Sequence, residues 1–364
     1  MRVIHFVTAG FSGATNVARD IILACNKHDN IDSLMVLRRR SSTKKERIQQ
    51  FKKLGIDTQS VTGRVNLLCI YQLYKICQQF KPDIIVVHGF SEHLWGRYSG
   101  LIAKVPYIVH VEHNSKEPYT WWRKRQARWL DQYTDAIIGC SEGVKKTLLS
   151  LGCPAEKTTF IENGIDLTHF NKIKTIPFDQ RRNEILMASR FAKQKDHATL
   201  INAMALLKNK GCDITLKLAG EGNSRHIKKA KLLVQKLRLN DRVSFLGHCS
   251  DLPKQLSETK FFVLSTHYEG MPLALIEAMA AGCATIASEV VGVQEMIEHN
   301  IDGCLVEAKN AYALADTIER LINNPLHAQQ LAKTGQDKVA ANFTIDEMAK
   351  KYQELFQRLI KKRQ

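Results

Sequence analysis

Two glutamates flank a segment that could bind a phosphate group. Glu269 lies in a short loop after a predicted strand, and Glu277 lies in the helical segment that follows Pro272. Because proline is favoured at the first position of a helix, the amides of Gly270 and Met271 would point out of a helix N-terminus, where anions bind readily. We expect Glu269 to face a ligand at the helix tip and Glu277 to reach a hydroxyl group beside it. A helix cap with one surface glutamate is the alternative.

Two basic residues stand in the loop that follows another predicted strand, at 184–188. Arg190 and Lys195 flank this strand-to-helix turn. A guanidinium and an ammonium group there could neutralise a diphosphate, the arginine through paired hydrogen bonds and the lysine as a point charge. Two basic residues in a loop are by themselves more often solvated surface charges. Their combination with the loop of Glu269 favours a diphosphate site.

Alternating strands and helices must position these loops. The predicted strands of the first half are 2–8, 32–37, 83–87, 106–111, 135–139 and 158–161. Those of the second half are 184–188, 213–218, 243–246, 261–264 and 284–287. Two successive series of this kind indicate two doubly wound α/β domains, whose ligands bind beyond the carboxyl ends of the strands. A polar segment near 171–183 predicts a linker.

These segments resemble family 4 of the retaining glycosyltransferases, of the type that builds bacterial cell-surface polysaccharides. That family carries Arg-x4-Lys after the first strand of its C-terminal domain and Glu-x7-Glu later in the chain. Further matches are Asn163–Asp166, Ala219–Gly222, Phe245–Gly247 and Val291–Glu295. The resemblance implies a GT-B fold, with two facing Rossmann-like domains and an interdomain cleft. Residues 1–172 would bind the acceptor and residues 173–343 the nucleotide sugar, and a helix at about 344–364 would pack back on the first domain.

The resemblance also implies roles for single residues. Arg190 and Lys195 would hold the donor diphosphate, and Glu277 would accept hydrogen bonds from the ribose. Glu269 would lie near the donor sugar, and His113, after a predicted strand, would contact the transferred sugar. The implied catalytic residues are therefore Glu269, Arg190, Lys195 and His113. The implied donor-binding residues are Arg190, Lys195, Gly247, Gly270, Met271, Pro272, Leu273 and Glu277.

The first loop of the chain departs from the family pattern. Many members have a Gly-Gly pair there, whereas this sequence has Gly10 and Gly13 with two residues between them, followed by Asn16. The backbone amides of the two glycines could still approach a diphosphate or an acceptor. We therefore expect Gly10, Gly13 and Asn16 to form an acceptor-side loop.

The charge of the chain indicates an anionic partner. The sequence has 53 Lys and Arg against 36 Asp and Glu, a net charge of +17. Residues 38–53 carry eight of the basic residues, and all four tryptophans fall in the first domain. Basic and aromatic side chains together suit an anionic membrane surface, whereas a solvated basic face with core tryptophans is the alternative. The predicted membrane patch is Arg38, Arg39, Arg40, Lys44, Lys45, Trp121, Trp122, Arg123, Lys124 and Arg125.

Other patterns limit the chemistry. The nine cysteines form no C-x-x-C pair, which is typical of reduced thiols in the cytoplasm. No Asp-x-Asp occurs, so we expect no metal and no cofactor, with protein cations neutralising the leaving group. A nucleic-acid-binding protein would explain the charge, but no zinc-ligand spacing is present. An epimerase or hydrolase of the same fold is the other alternative.

The sequence therefore predicts a retaining glycosyltransferase. The donor would be UDP-hexose or UDP-N-acetylhexosamine, and the acceptor a glycan linked to a lipid diphosphate, or an oligosaccharide, in the synthesis of lipopolysaccharide or capsule. We expect a cytoplasmic protein that binds peripherally to the inner face of the cell membrane.

Overall fold

The computed structural model describes residues 1–9, 13–27, 31–39, 43, 45–117, 119–173, 176–249 and 251–361, without the side chains of Lys27, Lys45, Arg47 and Ser91. The chain forms two compact units. Unit 1 comprises Met1–Gly164 and Ile345–Gln364, and unit 2 comprises Ile165–Thr344. The first segment of unit 1 thus ends at Gly164, eight residues before the boundary at 172 that the sequence suggested.

Unit 1 contains a parallel sheet of seven strands in the order β3-β2-β1-β4-β5-β6-β7. The strands are β1 (Arg2–Thr8), β2 (Asp32–Arg38), β3 (Asp57–Val61), β4 (Ile84–His88), β5 (Tyr107–Glu112), β6 (Ala136–Gly139) and β7 (Thr158–Phe160). All five residues of β4 are buried, because helices cover both faces of the sheet.

Six helices connect these strands. They are α1 (Gly13–Lys27), α2 (Lys45–Lys53), α3 (Asn66–Phe80), α4 (Phe90–Ile102), α5 (Trp121–Asp131) and α6 (Glu142–Ser150). Apolar residues of α1 and α2 pack on one face of the sheet, and those of α3 and α4 pack on the other. Helix α5 lies beside α4. Its N-cap residue is Thr120, whose hydroxyl accepts a hydrogen bond from the Arg123 amide.

Unit 2 contains a sheet of six strands in the order β10-β9-β8-β11-β12-β13, also parallel. The strands are β8 (Arg182–Ala188), β9 (Thr215–Ala219), β10 (Val243–Gly247), β11 (Thr259–Leu264), β12 (Ala284–Ser288) and β13 (Cys304–Val306). Its helices are α7 (Thr168–Asn171), α8 (His197–Asn209), α9 (Ser224–Lys236), α10 (Leu252–Ser257), α11 (Leu273–Ala280), α12 (Ala311–Asn323) and α13 (Pro325–Asn342).

The last helix, α14 (Ile345–Lys361), belongs to unit 1 and packs on α1. It buries Met348, Tyr352 and Phe356, and Lys351 donates to the Glu162 carboxylate at 2.6 Å. The apolar stripe of this amphipathic helix therefore covers the same side of the sheet as α1.

Two doubly wound parallel sheets confirm the predicted α/β fold class. Two edge strands, β3 and β13, were not predicted from the sequence. Strand β3 has the polar sequence DTQSV with only two buried residues, and β13 has only three residues. Such short segments lack the continuous apolar run that marks a strand covered on both faces. In the described part of the chain, no helix is long and apolar enough to cross a bilayer.

Candidate active site

The order of the strands in unit 2 determines where its loops can hold a ligand. The chain runs from β8 through β9 to β10 at one edge, and then crosses to β11 on the other side of β8. In doubly wound sheets a crevice opens at the carboxyl ends of the two strands where this direction reverses. The loop of Arg190 and Lys195 follows β8, and the loop of Glu269 follows β11. The predicted residues therefore flank the switch point of unit 2.

Backbone hydrogen bonds hold these two loops together. The His267 amide donates to the Gln194 carbonyl at 2.9 Å, and the Asp196 amide donates to the Ser265 carbonyl at 3.0 Å. The Asp196 carboxylate then caps α8 by accepting from the Thr199 amide at 3.1 Å. The loop after β8 is thus fixed both to its neighbour and to the helix that follows it.

Three side chains hold the carboxylate of Glu269. Lys195 donates to Oε1, the Thr266 hydroxyl donates to the same oxygen at 2.7 Å, and the Gln194 amide donates to Oε2 at 3.2 Å. The side chain of Glu269 is 7% exposed and that of Lys195 is 13% exposed. The structure therefore brings two of the predicted catalytic residues together as a nearly buried ion pair.

Arg190, in contrast, is exposed at the end of β8. Beside it, Gly220 has φ +140°, and a Cβ atom there would lie 2.0 Å from the Ser189 carbonyl oxygen. A Cβ atom on Gly222 would lie 2.4 Å from the Phe191 carbonyl oxygen. The two glycines after β9 therefore let their backbone approach the arginine loop more closely than any other residue would allow.

The start of α11 differs from the prediction by one residue. The helix begins at Leu273, and Pro272 is the flanking residue, with ψ 113°. The Pro272 carbonyl already accepts from the Leu275 amide at 3.1 Å, which is the function of an N-cap residue. The expectation that Pro272 is the first helical residue was wrong, because its backbone is still extended.

The residues around this helix start are tightly packed. Gly270 and Met271 are buried, and Glu277 lies half-buried in the second turn of α11. Gly292 has φ +80°, and a Cβ atom on it would lie 2.0 Å from the Gly270 carbonyl oxygen. Gly247, at the end of β10, accepts from the Gly220 amide at 2.7 Å. Loops from five strands of unit 2, β8 to β12, thus lie at the carboxyl edge of its sheet.

In unit 1, His113 follows β5 directly. Its amide donates to the Glu112 carboxylate at 2.9 Å, and its Nε2 atom lies 3.1 Å from Nδ1 of His88. Burial lowers the pKa of the His113 imidazole to about 4, so the ring is neutral near pH 7. The sequence pointed to His113 but not to His88, although a histidine in an otherwise apolar buried strand was a signal that could have found it.

The first loop of unit 1 is described only in part. Gly10 lies outside the described residues. Gly13 is exposed at the start of α1, and Asn16 is half-buried in its first turn. The Thr15 hydroxyl donates to the Thr8 carbonyl at 2.9 Å and so ties the helix start to β1.

The tryptophans of α5 lie on the surface. Trp121, Trp122 and Trp129 are 63%, 67% and 43% exposed. Lys124 and Arg125 are exposed between them, and the Arg125 guanidinium lies 5.8 Å from the centre of the Trp121 ring. These aromatic side chains are therefore not core residues of unit 1.

The other predicted patch residues that the structure describes differ in exposure and in their contacts. The Arg38 guanidinium is 11% exposed, lies 3.8 Å from Glu92 and donates to the Asn66 side chain at 2.8 Å. These partners hold the half-buried side chain of Arg38 against unit 1. Arg39 is exposed and Arg123 is half-buried, with its guanidinium over the Phe90 ring. Arg40, Lys44 and the side chain of Lys45 lie outside the described residues.

The two basic segments also separate in space. Helix α2 packs on the opposite face of the sheet from α4, and α5 lies beside α4. Lys52 and Lys53 of α2 therefore lie on the other face of the sheet from the basic residues of α5. Among the residues described, no three His, Cys, Asp or Glu side chains are grouped to hold a metal ion.

Comparison with known proteins gives matches over nearly the whole chain. Residues 4–169 match the family described as Glycosyltransferase Family 4, and residues 169–338 match Glycosyl transferases group 1. The chain is 28% identical over 309 residues to a putative glycosyltransferase, EpsD, of Bacillus subtilis strain 168, which covers 79% of this chain and 80% of that protein.

Two further relatives have more specific descriptions. A UDP-Gal:alpha-D-GlcNAc-diphosphoundecaprenol alpha-1,3-galactosyltransferase of Escherichia coli is 26% identical over 307 residues, 79% of this chain and 78% of that protein. Anabaena HepE, solved in complex with UDP-glucose, superimposes with a TM-score of 0.87 at 21% identity, over 98% of this chain and 100% of that chain.

Proposed function

Because the chain belongs to the glycosyltransferases, with a family 4 domain followed by a group 1 domain, we propose that it moves a sugar from a UDP-sugar to a lipid-linked or oligosaccharide acceptor. The transferred sugar is a hexose or an N-acetylhexosamine, and its anomeric configuration is retained. The enzyme is a glycosyltransferase of GT-B type, related to enzymes of bacterial polysaccharide synthesis.

The observation that carries this proposal is the charged site at the switch point of unit 2. Exposed Arg190 and the Lys195–Glu269 pair stand in the loops after β8 and β11, where doubly wound sheets bind nucleotides. The UDP-glucose complex of HepE and the UDP-galactose donor of the Escherichia coli relative support a UDP-sugar as the donor.

Lys195 and Arg190 have different tasks in this site. An ammonium group has three N–H donors, and Glu269 takes one of them and thereby orients the lysine. The other donors serve the β-phosphate of the donor. The Arg190 guanidinium binds the diphosphate through two parallel hydrogen bonds, and each charge-assisted bond contributes about 1.5–3 kcal/mol.

The reaction breaks the bond between the anomeric carbon and the β-phosphate oxygen. Negative charge develops on the departing UDP, and Arg190, Lys195 and the amides near Gly270 stabilise it without a metal ion. The acceptor hydroxyl attacks from the face that the phosphate leaves, and the phosphate oxygen takes its proton. The new glycosidic bond forms on the side of the old one, which retains the configuration.

His113 and Glu277 position the donor. Glu277 accepts hydrogen bonds from the ribose hydroxyls, and the amides around Gly247 contact the base. The neutral imidazole of His113 exchanges a hydrogen bond with a hydroxyl of the transferred sugar. Gly13 and Asn16 contribute to the acceptor side.

Of the two proposed acceptors, the exposed side chains of unit 1 favour the lipid-linked one, which unit 1 would bind at a membrane. Its helices α3 and α5, and the turn after α5, expose large apolar side chains on one side of the sheet. They are Leu67, Leu68, Tyr71, Trp121, Trp122 and Trp129 in the helices and Tyr133 in the turn. The other side of the sheet is covered by α1, α2 and α14. There Leu54, just after α2, is an exposed large apolar residue. Tryptophans with interleaved cations suit the headgroup region of an anionic bilayer, so we place α5 against the inner leaflet.

A donor screen tests the proposed activity. Calorimetric binding of UDP and GDP and of their hexose and N-acetylhexosamine derivatives identifies the nucleotide and the sugar. Transfer to a synthetic prenyl-diphosphate glycan, followed by proton NMR of the product, gives the anomeric configuration. We expect binding of a UDP-sugar and a product with the donor's configuration. An inverted product would overturn front-face transfer, and release of an altered UDP-sugar without acceptor would indicate an epimerase.

A further inference from the structure

Two buried histidines of unit 1, His5 and His88, and the half-buried His113 form a continuous row across its sheet. Nδ1 of His5 lies 3.1 Å from Nε2 of His88, and Nδ1 of His88 lies 3.1 Å from Nε2 of His113. The planes of neighbouring rings differ by only 23° and 18°, and their centroids lie 5.4 Å and 5.3 Å apart, so the rings meet edge to edge. The row therefore joins the interior of the sheet to the predicted sugar-contacting residue.

The strand register explains this alignment. His5 of β1 is opposite Val86 of β4, and His88 lies two residues farther along β4. His88 is in turn opposite Val111 of β5, and His113 lies two residues farther along the chain. Since side chains two residues apart share a face, the three rings step diagonally toward the carboxyl edge. They begin at His5, which contacts Phe356 of α14, and cross the switch point of unit 1.

Burial keeps all three imidazoles neutral. It lowers the pKa of His5 to about 3 and that of His113 to about 4, and it lowers the pKa of His88 well below its ordinary value. A neutral imidazole has one N–H donor and one acceptor nitrogen. His88 uses both nitrogens within the row, so it donates to one neighbour and accepts from the other.

This requirement couples the three tautomers. If His5 donates from Nδ1, His88 accepts at Nε2, carries its proton on Nδ1 and donates to Nε2 of His113, which then also carries its proton on Nδ1. In the reverse direction all three protons are on Nε2. The rings are therefore all in the Nδ1–H form or all in the Nε2–H form.

The free end of the row is a buried nitrogen. Nδ1 of His113 has no hydrogen-bond partner among the described residues, and less than 1 Å² of its surface is exposed. An unpartnered buried polar atom at the end of a hydrogen-bonded row is a position at which a ligand hydroxyl would complete the network.

We propose that His5 and His88 are positioning residues, which fix the ring orientation and the tautomer of His113 and so determine whether its Nδ1 atom donates to or accepts from a hydroxyl of the bound sugar. The identity of that ligand rests on the proposed function, whereas the coupling of the three rings does not. Neither His5 nor His88 contacts the sugar in this proposal.

Histidine side-chain NMR tests the coupling without any assay of activity. In protein labelled with nitrogen-15 at histidine, the ring nitrogen shifts report which atom carries the proton. We expect the same tautomer for His5, His88 and His113. Substitution His88→Phe breaks both hydrogen bonds. We then expect the tautomer of His5 to be independent of the tautomer of His113. Opposite tautomers for His5 and His113 in the unsubstituted protein would overturn the proposal.

Kinetics test the link to the sugar. His5→Phe removes the far end of the row, and we expect kcat to fall about tenfold, the equivalent of one hydrogen bond, with a changed His113 tautomer ratio. His5→Gln supplies both an N–H donor and a carbonyl acceptor, so it should restore most of the activity and the original ratio. An unchanged His113 tautomer ratio in His5→Phe would refute a positioning role. Coupled tautomers without any UDP-sugar turnover would instead refute the proposed function.

Discussion

The ammonium group of Lys195 is bound to the carboxylate of Glu269, so that an ion pair with little solvent exposure joins the loop after β8 to the loop after β11. Thr266 and Gln194 complete the hydrogen bonds of the carboxylate. The structural role of the pair is to link the two loops at the switch point of unit 2. Its proposed chemical role is to orient the ammonium group of Lys195 toward the donor diphosphate. The two tasks can be separated by experiment.

A double-mutant cycle measures the structural task of this pair. Lys195→Met leaves a nearly buried carboxylate without its cation, and Glu269→Gln leaves the ammonium without its anion. We expect each single substitution to lower the free energy of unfolding of unit 2 by about 3 kcal/mol. The double variant should cost at least about 1 kcal/mol less than the two single losses together. Additive losses in denaturant unfolding would show that the two groups do not support each other.

Arg190 should contribute to donor binding but not to stability. Because its side chain is exposed, we expect Arg190→Ala to leave the unfolding midpoint unchanged and to weaken UDP binding about 10–100-fold, the equivalent of one charge-assisted hydrogen bond or more. Lys193→Ala is the matched control, since Lys193 is an exposed cation of the same loop. Isothermal titration calorimetry distinguishes the two. Equal effects of both substitutions would mean that only the net charge of the loop matters.

The close approach of Gly292 to Gly270 should make this glycine irreplaceable. In Gly292→Ala the new methyl group would lie 2.0 Å from the Gly270 carbonyl oxygen, so the loop beside Glu269 has to move. We expect a loss of several kcal/mol of stability and weaker UDP binding. Gly211 has a similar φ, +76°, but open space around its Cβ position. Gly211→Ala should therefore cost only the conformational strain, about 1–2 kcal/mol. Thermal unfolding of the two variants measures the difference.

Unit 1 should be sensitive to acid. Burial lowers the pKa of five of its histidines: His5, His88, His93, His110 and His113. Below about pH 6.5 the unfolded chain binds protons that the folded chain does not, so the stability of unit 1 falls as the pH falls. Each histidine contributes up to about 1.4 kcal/mol per pH unit.

Two buried carboxyl groups act in the opposite direction. Burial raises the pKa of Glu117 to about 7 and that of Glu112 well above its ordinary value. Between about pH 7 and 4.5 these groups bind protons in the folded state and offset two of the five histidines. We therefore expect a net loss of stability below pH 6.5 that steepens below about pH 4.5. All four tryptophans lie in unit 1, so fluorescence in a denaturant series reports on this unit. A midpoint that is constant from pH 7 to 5 would contradict the prediction.

Membrane binding should depend on α5. We expect Trp121→Ala with Trp122→Ala, and separately Lys124→Glu with Arg125→Glu, to reduce co-sedimentation with anionic vesicles at least tenfold, because apolar insertion and about 1 kcal/mol per cation are lost.

Two pairs of charge reversals serve as controls for this experiment. Lys52→Glu with Lys53→Glu alters α2 on the other face of the sheet, and Lys228→Glu with Lys229→Glu alters α9 of unit 2. Each pair makes the same change of net charge as the pair on α5. Equal losses in all three would indicate attraction by net charge alone rather than docking by α5.

The sequence contained most of the elements and the residue types of the site, because both depend on local patterns. Apolar runs marked eleven strands, and the spacing of Arg190, Lys195, Glu269 and Glu277 marked the chemistry. The sequence did not show which side chain each of these charged residues would contact. Lys195 and Glu269 were both predicted to face a ligand, yet they bind each other, because the pairing of β8 with β11 is set by the order of strands in the sheet.

The histidine row shows the same limit. His5, His88 and His113 are far apart in the chain, and only the parallel register of β1, β4 and β5 brings their rings into contact. The sequence also did not show which charged side chains are held against the protein and which are exposed. Arg38 has the same side chain as its neighbour Arg39, but the end of β2 turns its guanidinium toward Glu92.

The path of the chain through its two units has one more consequence. Unit 2 begins at Ile165 and ends at Thr344, and these residues form a parallel bridge in which the Ile165 amide donates to the Phe343 carbonyl at 3.0 Å. Unit 2 is therefore inserted into unit 1 as a loop with adjoining ends. Residues 165–344 can therefore be exchanged for the equivalent segment of a related enzyme with both junctions kept at neighbouring positions. Under the proposed function, such a chimera would take the donor specificity of the new segment and keep the acceptor of unit 1.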